Sequence, residues 1–363
     1  MVRGNGAGGR ATGYVHFVRM RIVIWAATFA VTLVAGAAAA AGAGAGQPDS
    51  RIVGGSATGI ETVPWQVALV LDARFPGNDF QRQFCGGSLI APQIVQTAAH
   101  CVGGDPDDFG LTDMDTNDLD VVAGRTTLSS STGQRLNVAG IAVDARYDAG
   151  SGAFDAAWLS LTGAPGAPAA TIKIAGPGEA SLWAPGAMTF VSGWGTTSEG
   201  GSRSDTLKVA IAPIIDDPTC DSLGGVYASF SAVSMVCAGV LSGGTDSCSG
   251  DSGGPLAAPG FVGSAPVSRL VGAVSFGDGC ARPNAPGVYT RIAGPAYNPA
   301  AQQAVDQLEA AAGIPDSGSV YGAGATAQAP VRPAAATAPV KCKKGKRLKK
   351  GKCVKKKRKR PKK

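Results

Sequence analysis

An all-β architecture, a sandwich or a barrel, is the fold class that this chain predicts, and three observations carry it. From Ile52 to Ile292 short β-branched or alternating runs recur at roughly even spacing, clusters of Gly, Pro, Asn and Asp separate them, and no long segment keeps a helical period. The 363 residues, 44% of them hydrophobic, suffice for a globular body. In chain order the runs are "WQVALVL", "GSLIAPQIVQTAAH", "LDVVAG", "IAVDARY", "AAWLSL", "MTFVSGW", "LKVAIAPI", "RLVGAVSF" and "GVYTRI".

One helix is predicted after the strands. Asn298 can cap it, Pro299 takes its first position, and Ala304, Val305, Leu308 and Ala312 recur at helical spacing before Gly313. Residues 314–340, rich in Ala, Pro, Gly and Ser, read as a flexible linker, and residues 341–363 as a disordered Lys/Arg-rich tail.

The amino-terminal end has a different character. Arg3, Arg10, Arg19 and Arg21 precede an uncharged run from Ile22 to Gly46 that ends in "AGAGAG", the pattern of a secretory signal peptide over residues 1–46. Met20 offers a second start for the same pattern. A membrane anchor fits less well, because the second half of the run is Ala and Gly. Residues 47–51 then form a short propeptide and residues 52–313 the exported body. Export suits the eight cysteines, which an oxidising compartment would let pair in any of 105 ways, and no CxxC pair suggests a structural metal. The net charge of +7 hides two opposite parts: residues 341–363 hold 16 Lys or Arg and no acid, whereas residues 52–340 hold 12 Lys or Arg against 25 Asp or Glu.

The chemistry concentrates in two stretches. "TAAHC" contains His100, and the other histidine, His16, lies in the segment that export would remove, leaving one side chain that exchanges protons near neutrality. "GDSGGP" places Ser252 among glycines. A serine hydroxyl becomes a useful nucleophile when a base takes its proton, a third group orients that base, and backbone donors receive the developing oxyanion.

With "IVGG" at Ile52, "CGGSLI" at Cys85, "SGWG" at Ser192 and "GVYT" at Gly287, these motifs in this order resemble the trypsin-like, chymotrypsin-fold serine endopeptidases over about residues 52–292. The resemblance implies two Greek-key β-barrels packed together with the active site between them. It makes His100 the general base, Ser252 the nucleophile and Asp155, in "FDAAWLSL", the orienting acid, although the residues after that Asp depart from the family's pattern. It assigns the oxyanion hole to the N–H groups of Gly250 and Ser252.

The same resemblance puts Asp246 at the floor of the slot for the residue before the cleaved bond, where a carboxylate selects Arg or Lys. Gly277 and Gly287 match its walls. Ser275 matches a serine that supports the acid and lines the substrate channel, and Phe276 stands where the family usually has Trp. "SRIVGG" reads as a zymogen activation site: a cut after Arg51 frees the Ile52 amine to pair with Asp251. The implied disulfides are Cys85 with Cys101, Cys220 with Cys237 and Cys248 with Cys280, which leaves Cys342 and Cys353 to close a loop presenting a basic hairpin.

No cofactor is expected. The acidic segment Asp105 to Asp120 invites calcium, but it lacks the glycine and glutamate of the EF-hand pattern, so a solvated loop is the expectation. Protein or peptide substrates and a monomer are expected. The tail could hold an anionic surface such as cell wall or lipid headgroups, and its lack of interleaved aromatics argues against specific nucleic-acid binding. The Ala- and Gly-rich composition points to a bacterial source. The alternative function is a catalytically silent protease-like adhesion module using the tail; retention of Asp246 and Arg51 beside His100, Asp155 and Ser252 favours the enzyme.

Overall fold

The computed structural model describes residues 53–103, 114–327, 346–349 and 352–355. The signal segment, the propeptide, the Arg51–Ile52 bond, Cys342 and residues 328–340 expected as linker lie outside these residues.

Strands dominate. Six of them close into a barrel in the order Gln66–Leu71, Gln83–Ala91, Ile94–Thr97, Ala157–Leu161, Gln134–Val143 and Leu119–Ala123, with antiparallel pairing throughout. Alternation along these strands feeds two cores at once. Val67, Leu69, Leu89, Val95, Val121 and Leu159 fill the barrel, whereas Ala68, Val70, Ile90, Ile94, Val122 and Trp158 point outward. That outward set is buried with Trp194, Leu207 and Leu270 of the second half and with Val305 and Leu308 of the helix. Apart from Gln134–Val143, which is mostly half-buried or exposed, the barrel strands are buried on both faces, and most read as near-continuous apolar runs.

The second half is a ten-stranded sheet running from Ser56–Ala57 through Lys208–Ile211, Phe190–Gly193, Pro255–Val262, Ala265–Phe276, Gly287–Thr290 and Met235–Ala238 to Ile214–Ile215. Two short strands join it from the side: Lys173–Ile174 and Ala325–Ala327. Its ladder does not close as the first barrel's does, so the second expected barrel is a curled half-barrel around Leu182, Val191, Val236, Leu256, Val271 and Tyr289. Disulfides join Cys85 to Cys101, Cys220 to Cys237 and Cys248 to Cys280.

Three expectations need correction. The helix spans Asn298–Ala312, so Asn298 is inside it, and the flanking Tyr297 makes no side-chain cap. The core sets this boundary: the Tyr297 ring is fully buried 5.8 Å from that of Phe154, and its carbonyl accepts from Ala301 N–H at 2.9 Å. Ala301, Ala304, Val305 and Leu308 are buried, Ala312 is exposed, and Gly313 closes the helix in the left-handed conformation.

Second, the expected linker is packed over residues 314–327. Val320 is buried and its carbonyl accepts from Ile174 N–H at 2.9 Å, the Tyr321 hydroxyl donates to the Tyr297 carbonyl, and Ala325–Ala327 pairs with Pro255–Val262. A buried carboxylate clamps this strap: Glu179 accepts from Ala325 N–H at 2.7 Å and from Arg269. Third, the tail expected to be disordered holds an antiparallel ladder, Lys346–Lys349 with Lys352–Lys355, inside the loop read as a basic hairpin. Among the described residues no helix is long and apolar enough to cross a membrane.

Candidate active site

Asp155 precedes the strand Ala157–Leu161 and is 2% exposed. Its Oδ2 lies 2.8 Å from His100 Nδ1, its Oδ1 accepts the His100 backbone N–H at 2.9 Å, and the Ser275 hydroxyl donates to Oδ2 at 2.5 Å. Burial pushes this carboxyl up, but the imidazole charge and these hydrogen bonds outweigh it and hold the group below the usual carboxylate range. The carboxylate therefore stays ionised at neutral pH and favours the tautomer that carries its proton on Nδ1, leaving Nε2 as the basic nitrogen. The Thr290 hydroxyl ties the Asp155 carbonyl to the second half at 2.6 Å.

Ser252 faces the same cavity as His100, Asp155 and Ser275. Both halves of the fold pin it: its carbonyl accepts from Gly86 N–H at 2.7 Å, and the next residue, Gly253, donates to the Val274 carbonyl at 2.8 Å. The flanking turn needs glycine, with φ of 93° at Gly250 and 73° at Gly253.

A second cavity of about 380 Å³ opens from Ser252 and is lined by Asp246, Ser247, Gly277, Gly287 and the Cys248–Cys280 bridge. Asp246 is 2% exposed; Oδ2 accepts from Ala281 N–H at 3.1 Å. A side chain on Gly287 would crowd Asp246 and Tyr289, so glycine keeps the slot open. Burial, with a contribution from the Asp251 charge, pushes the Asp246 carboxyl up to about 7 against its hydrogen bonds from Ala281 and Ser247. Among the described residues no cation pairs with this carboxyl, so a positive group brought into the slot would favour its ionised form.

Asp251 is fully buried on the other side of Ser252. Its oxygens accept from Gly195 N–H at 2.8 Å and Cys248 N–H at 3.0 Å. Burial pushes the carboxyl up to about 6 against these two bonds, and among the described residues no cation pairs with it. "SGWG" has its physical reason here: a Cβ on Gly193 or Gly195 would overlap the Asp251 carboxylate. Val53 forms an antiparallel bridge with Asp246, which brings the chain following Arg51 to this wall.

Of the expected site residues, His100, Asp155, Asp246, Ser252, Ser275, Gly277 and Gly287 line these two cavities and Gly250 and Asp251 flank Ser252 in the chain, whereas the Cys220–Cys237 bridge lines neither cavity, and Arg51, Ile52 and Cys342 lie outside the described range. In the acidic segment, Asp105 to Asp113 is also outside it, while Asp118 meets Arg74 and accepts from Asp115 N–H. Sequence reasoning missed three contributors. Thr290 sat unassigned within "GVYT", whereas Gln83 and Arg203, which support Gly250, carry no local motif.

Fold and cleft together define a serine endopeptidase, a hydrolase. The family model described as Trypsin matches residues 52–300. The chain is 40% identical to a trypsin of Saccharopolyspora erythraea across 66% of this chain and 93% of that protein. It is 39% identical to Trypsin-1 of Astacus astacus across 66% and 95%, and 37% identical to a trypsin of Simulium vittatum across 66% and 88%. The chain belongs to the trypsin family.

The Asp251 shift sets a pH dependence. The unfolded carboxyl titrates near its ordinary 3.8, so between about 4 and 6 the folded chain alone holds the proton. Stability from this group is full below that window and is lost as pH rises through it. In a Ser252→Ala chain uncut at Arg51, unfolding free energy is expected to fall less steeply from pH 4 to 6 once Asp251→Asn is added. Equal slopes in urea titrations would contradict this.

Proposed function

We propose that the enzyme cuts protein and peptide chains after Arg or Lys, through an acyl-enzyme formed on Ser252. The carrying observation is the buried Asp246 carboxylate at the end of a slot kept open by Gly277 and Gly287. A Lys or Arg side chain that fills the slot supplies the missing counter-charge in a site sheltered from water, where a charge-assisted pair is strong.

The chemistry follows in order. Ser252 Oγ attacks the carbonyl carbon while His100 Nε2 takes the hydroxyl proton, and Asp155 stabilises the imidazolium that results. The oxyanion is received by the N–H groups of Gly250 and Ser252. Collapse of the tetrahedral intermediate breaks the C–N bond as His100 returns the proton to the leaving amine. Water then attacks the ester with His100 again as base, releasing the acid and regenerating Ser252. None of these steps requires a cofactor.

Activation would use the second buried carboxylate. A cut after Arg51 frees the Ile52 amine one residue from the Val53–Asp246 bridge, and its charge would pair with Asp251 and keep that carboxyl ionised. Arg51 is itself an Arg site, which supports self-activation. The leader over residues 1–46 would place this chemistry outside the cell as a monomer, and the tail would hold the enzyme on an anionic surface until the enzyme's own cleavage releases it.

Two experiments test these readings. Activated enzyme offered a peptide library is expected to cut after Arg and Lys and to be labelled by a serine-directed phosphonate. Ser252→Ala should abolish both, and Asp246→Ser should reduce Arg and Lys cleavage on the order of 10⁴-fold while sparing the label. Labelling without any basic preference would contradict the substrate reading, and absence of labelling would favour the silent adhesion module. Separately, deletion of residues 341–363 is expected to abolish retention on anionic vesicles at low salt; unchanged retention would count against the anchor.

A further inference from the structure

The expected oxyanion donor, Gly250 N–H, belongs to a glycine in a conformation that glycine adopts without strain, so something must hold it there. Two hydrogen bonds do so, one on each adjoining peptide. The Ser249 carbonyl, which shares a planar peptide with Gly250 N–H, accepts from Thr196 N–H at 2.9 Å. The Gly250 carbonyl accepts from Gln83 Nε2 at 2.7 Å. Because a trans peptide points its N–H away from its carbonyl, fixing both carbonyls fixes the direction of the donor.

Both bonds trace to one loop. Thr196 and Arg203 form a bridge that closes residues 196–203 into a hairpin. Gln83 is 1% exposed, and its amide is spent on the Gly250 and Cys85 carbonyls. Its carbonyl Oε1 faces Arg203 Nη1 at 3.3 Å, and the same nitrogen donates to the Gln83 backbone carbonyl. Arg203 Nη2 donates to the Gln81 carbonyl at 3.2 Å, and the guanidinium carbon lies 5.8 Å from the centre of the Phe80 ring. Among the described residues Arg203 has no carboxylate within ion-pair distance, so its donors are committed to backbone and amide oxygens.

We propose that Arg203 is a positioning residue for the oxyanion hole: it orients Gln83, and Gln83 holds the Gly250 carbonyl, fixing one of the two peptides that together set the direction of the Gly250 N–H. The inference rests on the reading that Gly250 N–H receives the oxyanion. It assigns residues 196–203 the role of a clamp, with Thr196 as one arm and Arg203 the other. Turnover then depends on a side chain that touches neither the substrate nor the three reacting residues.

The test compares wild type with Arg203→Met, Arg203→Lys and Gln83→Leu. Three quantities are read: kcat and KM on one Arg peptide, affinity for benzamidine, which fills the slot alone, and affinity for the matching peptide aldehyde, whose adduct with Ser252 places an oxyanion in the hole. Arg203→Met and Gln83→Leu are expected to lower kcat and aldehyde affinity by about tenfold or more, less than loss of a whole donor. KM and benzamidine affinity should stay within about twofold, whereas a purely structural role would raise KM and lower benzamidine affinity together with the aldehyde affinity. Arg203→Lys should recover part of the loss, and the double variant should be no worse than Gln83→Leu, since the two act in series. Unchanged aldehyde affinity in Arg203→Met, or benzamidine affinity falling in parallel with it, would overturn the inference. If wild type itself binds the aldehyde no better than the corresponding alcohol, the oxyanion reading fails instead.

Discussion

The active site of this molecule is arranged around one carboxylate that is fully buried. Asp251 is fully buried with two backbone N–H donors, which do not offset the loss of hydration, and its carboxyl is pushed up to about 6. Much of the surrounding sequence follows from that burial. Gly193 and Gly195 leave no Cβ in its way, Gly250 and Gly253 turn the chain on either side of it, and the Cys248–Cys280 bridge fixes the loop whose Cys248 N–H donates to it. On the proposed reading the missing charge arrives as the Ile52 amine, so the same carboxylate that strains the uncut chain organises the cut one.

Three buried aspartates within one cleft show how environment separates identical side chains. Asp155 meets an imidazole, a hydroxyl and a backbone N–H, and is held below the ordinary range. Asp246 and Asp251 meet backbone N–H groups but no cation among the described residues, and burial raises both. The first is suited to a permanent charge. On the proposed reading the other two receive a positive group from elsewhere, Asp246 from a substrate and Asp251 from the chain's own new terminus.

Much of this was legible in the sequence because each motif records a close approach. "GDSGGP" and "SGWG" carry glycines where a Cβ would collide with Asp251 or its turn, and the apolar runs mark strands covered on both faces. What stayed hidden lacked such a local mark. The strap over residues 314–327 has linker composition, yet Val320, Tyr321 and the clamp from Glu179 to Ala325 dock it. The helix starts where burial of Tyr297 puts it and so overrides the capping residue beside it. Gln83 and Arg203 act across about 120 residues of separation, which no window on the sequence spans.

The most direct measurement is the titration of the Asp251 carboxyl, followed by carbon NMR in a Ser252→Ala chain before and after cleavage at Arg51. It is expected to titrate near 6 in the uncut chain and to fall below the ordinary 3.8 once the Ile52 amine is free. An unchanged titration after complete cleavage would contradict the account.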